Sequence, residues 1–98
     1  MAKSKVIRAI KHLKNYLRES GLNVSDITLF GSQAKGNSTK ESDVDLVIIS
    51  DDFKGKNIFE RALLTKDAEI KTIKKFLIPF DILTMTPEEW KRSKAMLT

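Results

Sequence analysis

The chain has 98 residues, 41% of them apolar and 32% charged, a balance that suits one small folded domain over residues 1–98 and excludes a disordered chain. It has no cysteine and one histidine, His12, which excludes disulfides, thiolate chemistry and any site built from several histidines. The net charge of +5 suits a phosphate-rich ligand or an acidic partner.

Residues 3–20 are predicted to form an amphipathic helix. Val6, Ile10, Leu13 and Leu17 recur at helical spacing on one stripe, and Lys3, Lys5, Arg8, Lys11, Lys14 and Arg18 lie mostly off it. The basic side is read as a solvated face. Gly21 stands where a helix often ends in a left-handed residue, with Leu22 free to pack back on the last turn. No apolar run approaches the roughly 18 residues of a membrane helix. The N-terminus lacks the continuous apolar block of a signal peptide, so a cytoplasmic location is expected.

Residues 26–30, Asp-Ile-Thr-Leu-Phe, read as a strand that Gly31 ends. The polar stretch that follows could open with a short helix over 32–35. Residues 43–50 form a second predicted strand. Its apolar run, Val44 and Leu46 to Ile49, is nearly continuous, as expected of a strand covered on both faces. Residues 58–77 read as a helix with Asn57 as N-cap and Glu60 completing a capping box. Phe59, Leu63, Ile70, Ile73 and Leu77 follow a helical stripe, and Lys66 interrupts it, so a break near residues 65–67 is anticipated. Pro79 ends the helix, and residues 80–84 form a third strand. Thr86, Pro87 and Glu89 then mark the start of a last helix over 87–97, with Met85 and Trp90 spaced as a hydrophobic staple.

Asp43 and Asp45 carry the chemistry. They open the most apolar strand, two residues apart, so both side chains leave the same face. Close carboxylates repel each other, and burial raises the cost. A divalent cation resolves both problems, since Mg²⁺ favours carboxylates together with substrate phosphates. Asp81 repeats the pattern inside the third strand. For it to reach the pair, strands two and three must run parallel, and residues 51–79 supply the necessary crossover. Gly31 and Ser32 follow strand one, so strand one must run antiparallel to strand two. The expectation is a mixed sheet with all four elements at one edge. There Gly31 would let backbone approach a phosphate, Ser32 would add a hydroxyl donor and Lys35 a charge. The spacing is not that of a P-loop.

The segment from Gly31 to Ile49, with Gly-Ser, a spacer of about ten residues and Asp-x-Asp after a serine, resembles the signature of the polymerase-β-type nucleotidyltransferase superfamily. Pro79-Phe80-Asp81-Ile82-Leu83 matches the strand that bears the family's third carboxylate. The short chain is most similar to the minimal nucleotidyltransferases. The resemblance implies an α+β fold of order α-β-α-β-α-β-α around a small mixed sheet. It implies that Gly31 and Ser32, with Lys35 nearby, hold the phosphates of ATP or another nucleoside triphosphate, and that Asp43, Asp45 and Asp81 bind two Mg²⁺ ions. Asp81 would also help deprotonate an attacking hydroxyl. Many family members have arginine where this chain has Gln33 or Lys35, and lysine keeps the charge without the bidentate geometry.

The resemblance further implies an acceptor surface on another copy or another protein. Minimal nucleotidyltransferases often pair with a helical HEPN protein, in some cases as toxin and antitoxin. An antitoxin-like subunit acting by contact is therefore the alternative to catalysis. Nucleic-acid binding through the basic helices is the least expected function, because no readout motif accompanies the charge.

Overall fold

The computed structural model describes residues 2–30 and 44–97, with side chains described for 4–30 and 44–94. In chain order the elements are α1 (Ala2–Glu19), β1 (Val24–Phe30), β2 (Val44–Ser50), a 3-10 turn (Asp51–Phe53), α2 (Ile58–Phe76), β3 (Phe80–Met85) and α3 (Pro87–Leu97). The short helix expected at 32–35 lies outside the described residues.

The three strands form one mixed sheet with β2 in the middle, antiparallel to β1 and parallel to β3. This is the arrangement that the placement of the carboxylates demanded. Side chains alternate across β2. Val44, Leu46 and Ile48 join the core formed with α1 and α2, together with Val6, Ala9, Leu13, Leu17 and Phe53. Val47 and Ile49 are buried on the other face, where α3 packs against β2 and β3. Cover on both faces explains why β2 is apolar throughout.

The termini of the elements follow local chemistry. At the end of α1, Leu22 N–H donates to the Leu17 carbonyl (3.0 Å) and Gly21 N–H to the Arg18 carbonyl (3.0 Å). With Gly21 at φ 96°, this is a Schellman end, and Leu22 is buried behind it. Asn57 and Glu60 make the predicted capping box, with Glu60 N–H donating to Asn57 Oδ1 (2.9 Å) and Asn57 N–H to Glu60 Oε1 (2.8 Å). Thr86 and Glu89 do the same for α3. The far edge of the sheet is tied by Ser50, whose hydroxyl donates to the Asn23 carbonyl (2.7 Å) and accepts from Asp52 N–H (3.0 Å).

Two expectations need correction. Lys66 does not break the second long helix. It points to solvent, and α2 runs unbroken from Ile58 to Phe76, with Leu77 as a left-handed C-cap in place of a last helical residue. The stripe of Phe59, Leu63, Ile70, Ile73 and Leu77 is also not the packed side. The buried face of α2 consists of Thr65, Ala68, Thr72 and Phe76. Small side chains let the helix approach the sheet and α1 closely. The hydroxyls of Thr65 and Thr72 are satisfied within the helix, by Glu69 Oε2 (2.6 Å) and the Ala68 carbonyl (2.8 Å).

Candidate active site

One row of the sheet gathers the acidic positions. Asp45 of β2 is the register partner of Phe30 in β1 and of Asp81 in β3. Register partners in adjacent strands present their side chains on the same face, with backbones about 4.8 Å apart. Asp45 is half-buried and Asp81 exposed. The parallel crossover through α2 causes this meeting. β2 leaves the edge, α2 returns to it, and β3 starts level with β2. Val44 N–H donates to the Pro79 carbonyl (3.0 Å), which pins the two strand starts together.

Phe30 immediately precedes Gly31, and β1 ends in the same row where β2 begins. The chain therefore leaves the sheet and re-enters it at the Asp45–Asp81 edge. Gly31, Ser32, Lys35 and Asp43 lie outside the described residues. Of the predicted site residues, the structure brings together Asp45 and Asp81.

Among the described residues neither carboxylate has a hydrogen-bond or ion-pair partner, and no group of three metal-ligating side chains occurs. Like charges on neighbouring strands repel, the more weakly where solvent reaches them. A strand pair that keeps this cost at its apolar start is suited to a cationic ligand, and oxygen donors of this kind fit Mg²⁺. The last turn of α2, which carries Lys74 and Lys75, ends at the same sheet edge.

An Arg61–Glu89 ion pair lies elsewhere. Arg61 of α2 donates from Nη1 to Glu89 Oε1 (2.8 Å) and from Nη2 to Glu89 Oε2 (3.1 Å). It also donates to the carbonyls of Thr84 (3.2 Å) and Lys56 (2.9 Å), with its guanidinium 5.8 Å from the Phe53 ring. The hydrogen bonds from Arg61, followed by that from Thr86 N–H, hold the Glu89 carboxyl below its usual range. Burial pushes Glu69 upward, partly offset by the Thr65 hydroxyl. Both groups lie away from the Asp45–Asp81 row and belong to the scaffold. Sequence reading missed the Arg61 clamp because its partners come from three separate segments. Arg61 does stand four and seven residues before Thr65 and Ala68, the helical spacing of the packed face.

The nucleotidyltransferase domain family matches this sequence over residues 10–97. The chain belongs to that family. No curated protein matches the nucleotidyltransferase chain significantly. Its structure is similar to that of a Sulfolobus solfataricus protein provisionally assigned as a nucleotidyltransferase (TM-score 0.61, 23% identity, covering 91% of this chain and 79% of that one). It is also similar to BolA1 from Arabidopsis thaliana (TM-score 0.57, 18% identity, covering 83% of this chain and 94% of that one). At these identities the likeness is one of fold. The family match is what attaches nucleotidyl transfer to that fold.

Proposed function

We propose that this nucleotidyltransferase domain transfers a nucleoside monophosphate, AMP from ATP, to a hydroxyl acceptor in an Mg²⁺-dependent reaction. The observation that carries the reading is the register pairing of Asp45 with Asp81 at the edge where Phe30 leads into Gly31–Ser32. Asp43, Asp45 and Asp81 would hold the metal. When bound, Mg²⁺ supplies positive charge beside the reacting phosphate. Gly31 amide and Ser32 hydroxyl would bind the outer phosphates, with Lys35 adding charge. Asp81, the exposed member of the row, would accept the proton of the attacking hydroxyl. A bond forms between acceptor oxygen and α-phosphorus, the bond to the bridging oxygen breaks, and pyrophosphate leaves.

The acceptor hydroxyl would lie on another macromolecule, and a helical HEPN-type protein is the partner the family resemblance suggests. Wild-type protein, incubated with such a partner and α-labelled ATP in Mg²⁺, is expected to label it. Asp45→Asn should lower the rate at least about 100-fold while the circular dichroism stays unchanged. Equal labelling by the variant would remove catalysis through this row. Neutralisation of a toxic partner by Asp45→Asn as fully as by wild type would instead favour a subunit acting by contact.

A further inference from the structure

Among the described residues, nine large apolar side chains are at least a third exposed, and seven of them belong to α2 and its C-cap. Phe59 (77%), Leu63 (71%) and Leu77 (79%) are mostly in solvent, and Ile70 and Ile73 continue the same stripe. Meanwhile Thr65 and Thr72 are fully buried beneath. Apart from Phe76, the helix turns its small residues inward and its large apolar ones outward. The exposed apolar surface continues toward the open edge of β3 through Ile58, Ala62 and Leu83, which line one groove. Seven large apolar side chains exposed along one helix exceed the scattered apolar residues a monomer ordinarily shows, the mark of an interaction surface.

We propose that this face binds a second copy of the same chain, α2 against α2, antiparallel about a twofold axis near Ala68. The stripe is symmetric about that residue. Phe59 lies nine positions before it and Leu77 nine after, and Leu63 and Ile73 lie five before and five after. A twofold between the helices, level with Ala68, therefore sets Phe59 on Leu77 of the second copy, and Leu63 on Ile73, at both ends of the interface.

The charges select the same orientation. Glu60 and Lys74 flank the stripe on one side near its opposite ends, so antiparallel packing puts Glu60 beside Lys74 of the second copy twice over. Lys66, within the stripe, comes level with Ile70 of the second copy, over which its aliphatic stem can lie with the ammonium reaching solvent. Parallel packing would set Glu60 on Glu60 and Lys74 on Lys74, with like charges opposed. Asp67 is the exception, since it meets its own equivalent close to the axis.

The test is the mass in solution by sedimentation and light scattering. Wild type is expected at twice its 11.1 kDa at about 100 μM, a concentration at which a standard-size interface is occupied. Leu63→Glu is expected to give a monomer with unchanged circular dichroism, because Leu63 is outside the core. The chain has no cysteine. A Phe59→Cys, Leu77→Cys variant should therefore oxidise to a covalent dimer, and Phe59→Cys alone should not. Glu60→Lys should loosen the dimer several-fold, and adding Lys74→Glu should restore it. A monomeric wild type, its stripe left to a different protein, would overturn the proposal. So would a dimer indifferent to Leu63→Glu, or a Phe59→Cys, Leu77→Cys variant that never cross-links. None of these readouts depends on nucleotidyl transfer.

Discussion

Asp45 and Asp81 are register partners across the parallel ladder of β2 and β3, two carboxylates side by side with no cationic side chain between them among the described residues. Their alignment costs stability without a ligand. In metal-free, low-salt buffer Asp45→Asn is therefore expected to raise the melting temperature by a few degrees, about 0.5–1 kcal/mol. The gain should shrink in high salt, where exposed charges are screened. Magnesium should stabilise wild type more than the variant, because only binding to the folded state shifts the transition. Scanning calorimetry with and without Mg²⁺ reads both effects. A lower melting temperature for the metal-free variant would show that Asp45 serves the fold.

Arg61 joins the start of α2 to the strand end and to α3. Arg61→Ala is expected to cost about 2–3 kcal/mol, since the Thr84 and Lys56 carbonyls and the Glu89 carboxylate lose charged donors together. Arg61→Lys should recover only part of this, for lack of a bidentate fork. Urea midpoints at neutral pH measure both.

The same clamp sets a pH dependence. The Glu89 carboxyl lies below its ordinary value of 4.5 in the folded state, so its contribution is present in full above that value. It is lost as pH falls through the lowered one. Urea midpoints taken from neutral pH down to about pH 3 should thus fall less steeply for Arg61→Ala than for wild type. Parallel acid limbs would detach Glu89 from the clamp. The Glu89 side chain is more than a third exposed, so solvent screening keeps this part small.

Leu77 adopts φ 55° and ψ 40°, a left-handed conformation that disfavours a β-carbon. Leu77→Gly should stabilise the monomer by about 0.5–1 kcal/mol, the left-handed strain being partly offset by chain entropy. It should also weaken association through α2, because it removes one end of the stripe. Opposite signs for melting of the monomer and for dimerisation are the expected pattern.

Phe53 is fully buried in the core and lies under the Arg61 guanidinium. Phe53→Ala is expected to cost about 3–5 kcal/mol, much of the margin of a domain this size. Loss of the cooperative thermal transition at physiological temperature would be the signature.

The sequence by itself determined the three strands, the helix starts and the topology of the described residues. Val6, Leu13 and Leu17 declared the buried side of α1, and Asn57 and Thr86 declared where helices begin, because periodicity and capping are local chemistry. Even the mixed sheet followed locally, since Asp45, Asp81 and the turn after Phe30 could share one edge in no other arrangement. Only the tertiary structure decided which side of α2 is buried. The stripe of Phe59, Leu63 and Leu77 has the period of a core face, but Thr65, Ala68 and Thr72 fit the close approach to the sheet, and the larger residues were left outside. The Arg61–Glu89 clamp was likewise invisible to local reading, because its partners are brought together by packing alone. Periodicity reports which residues share a face. What that face meets depends on the shape of the space around it, and that exists only once the chain has folded.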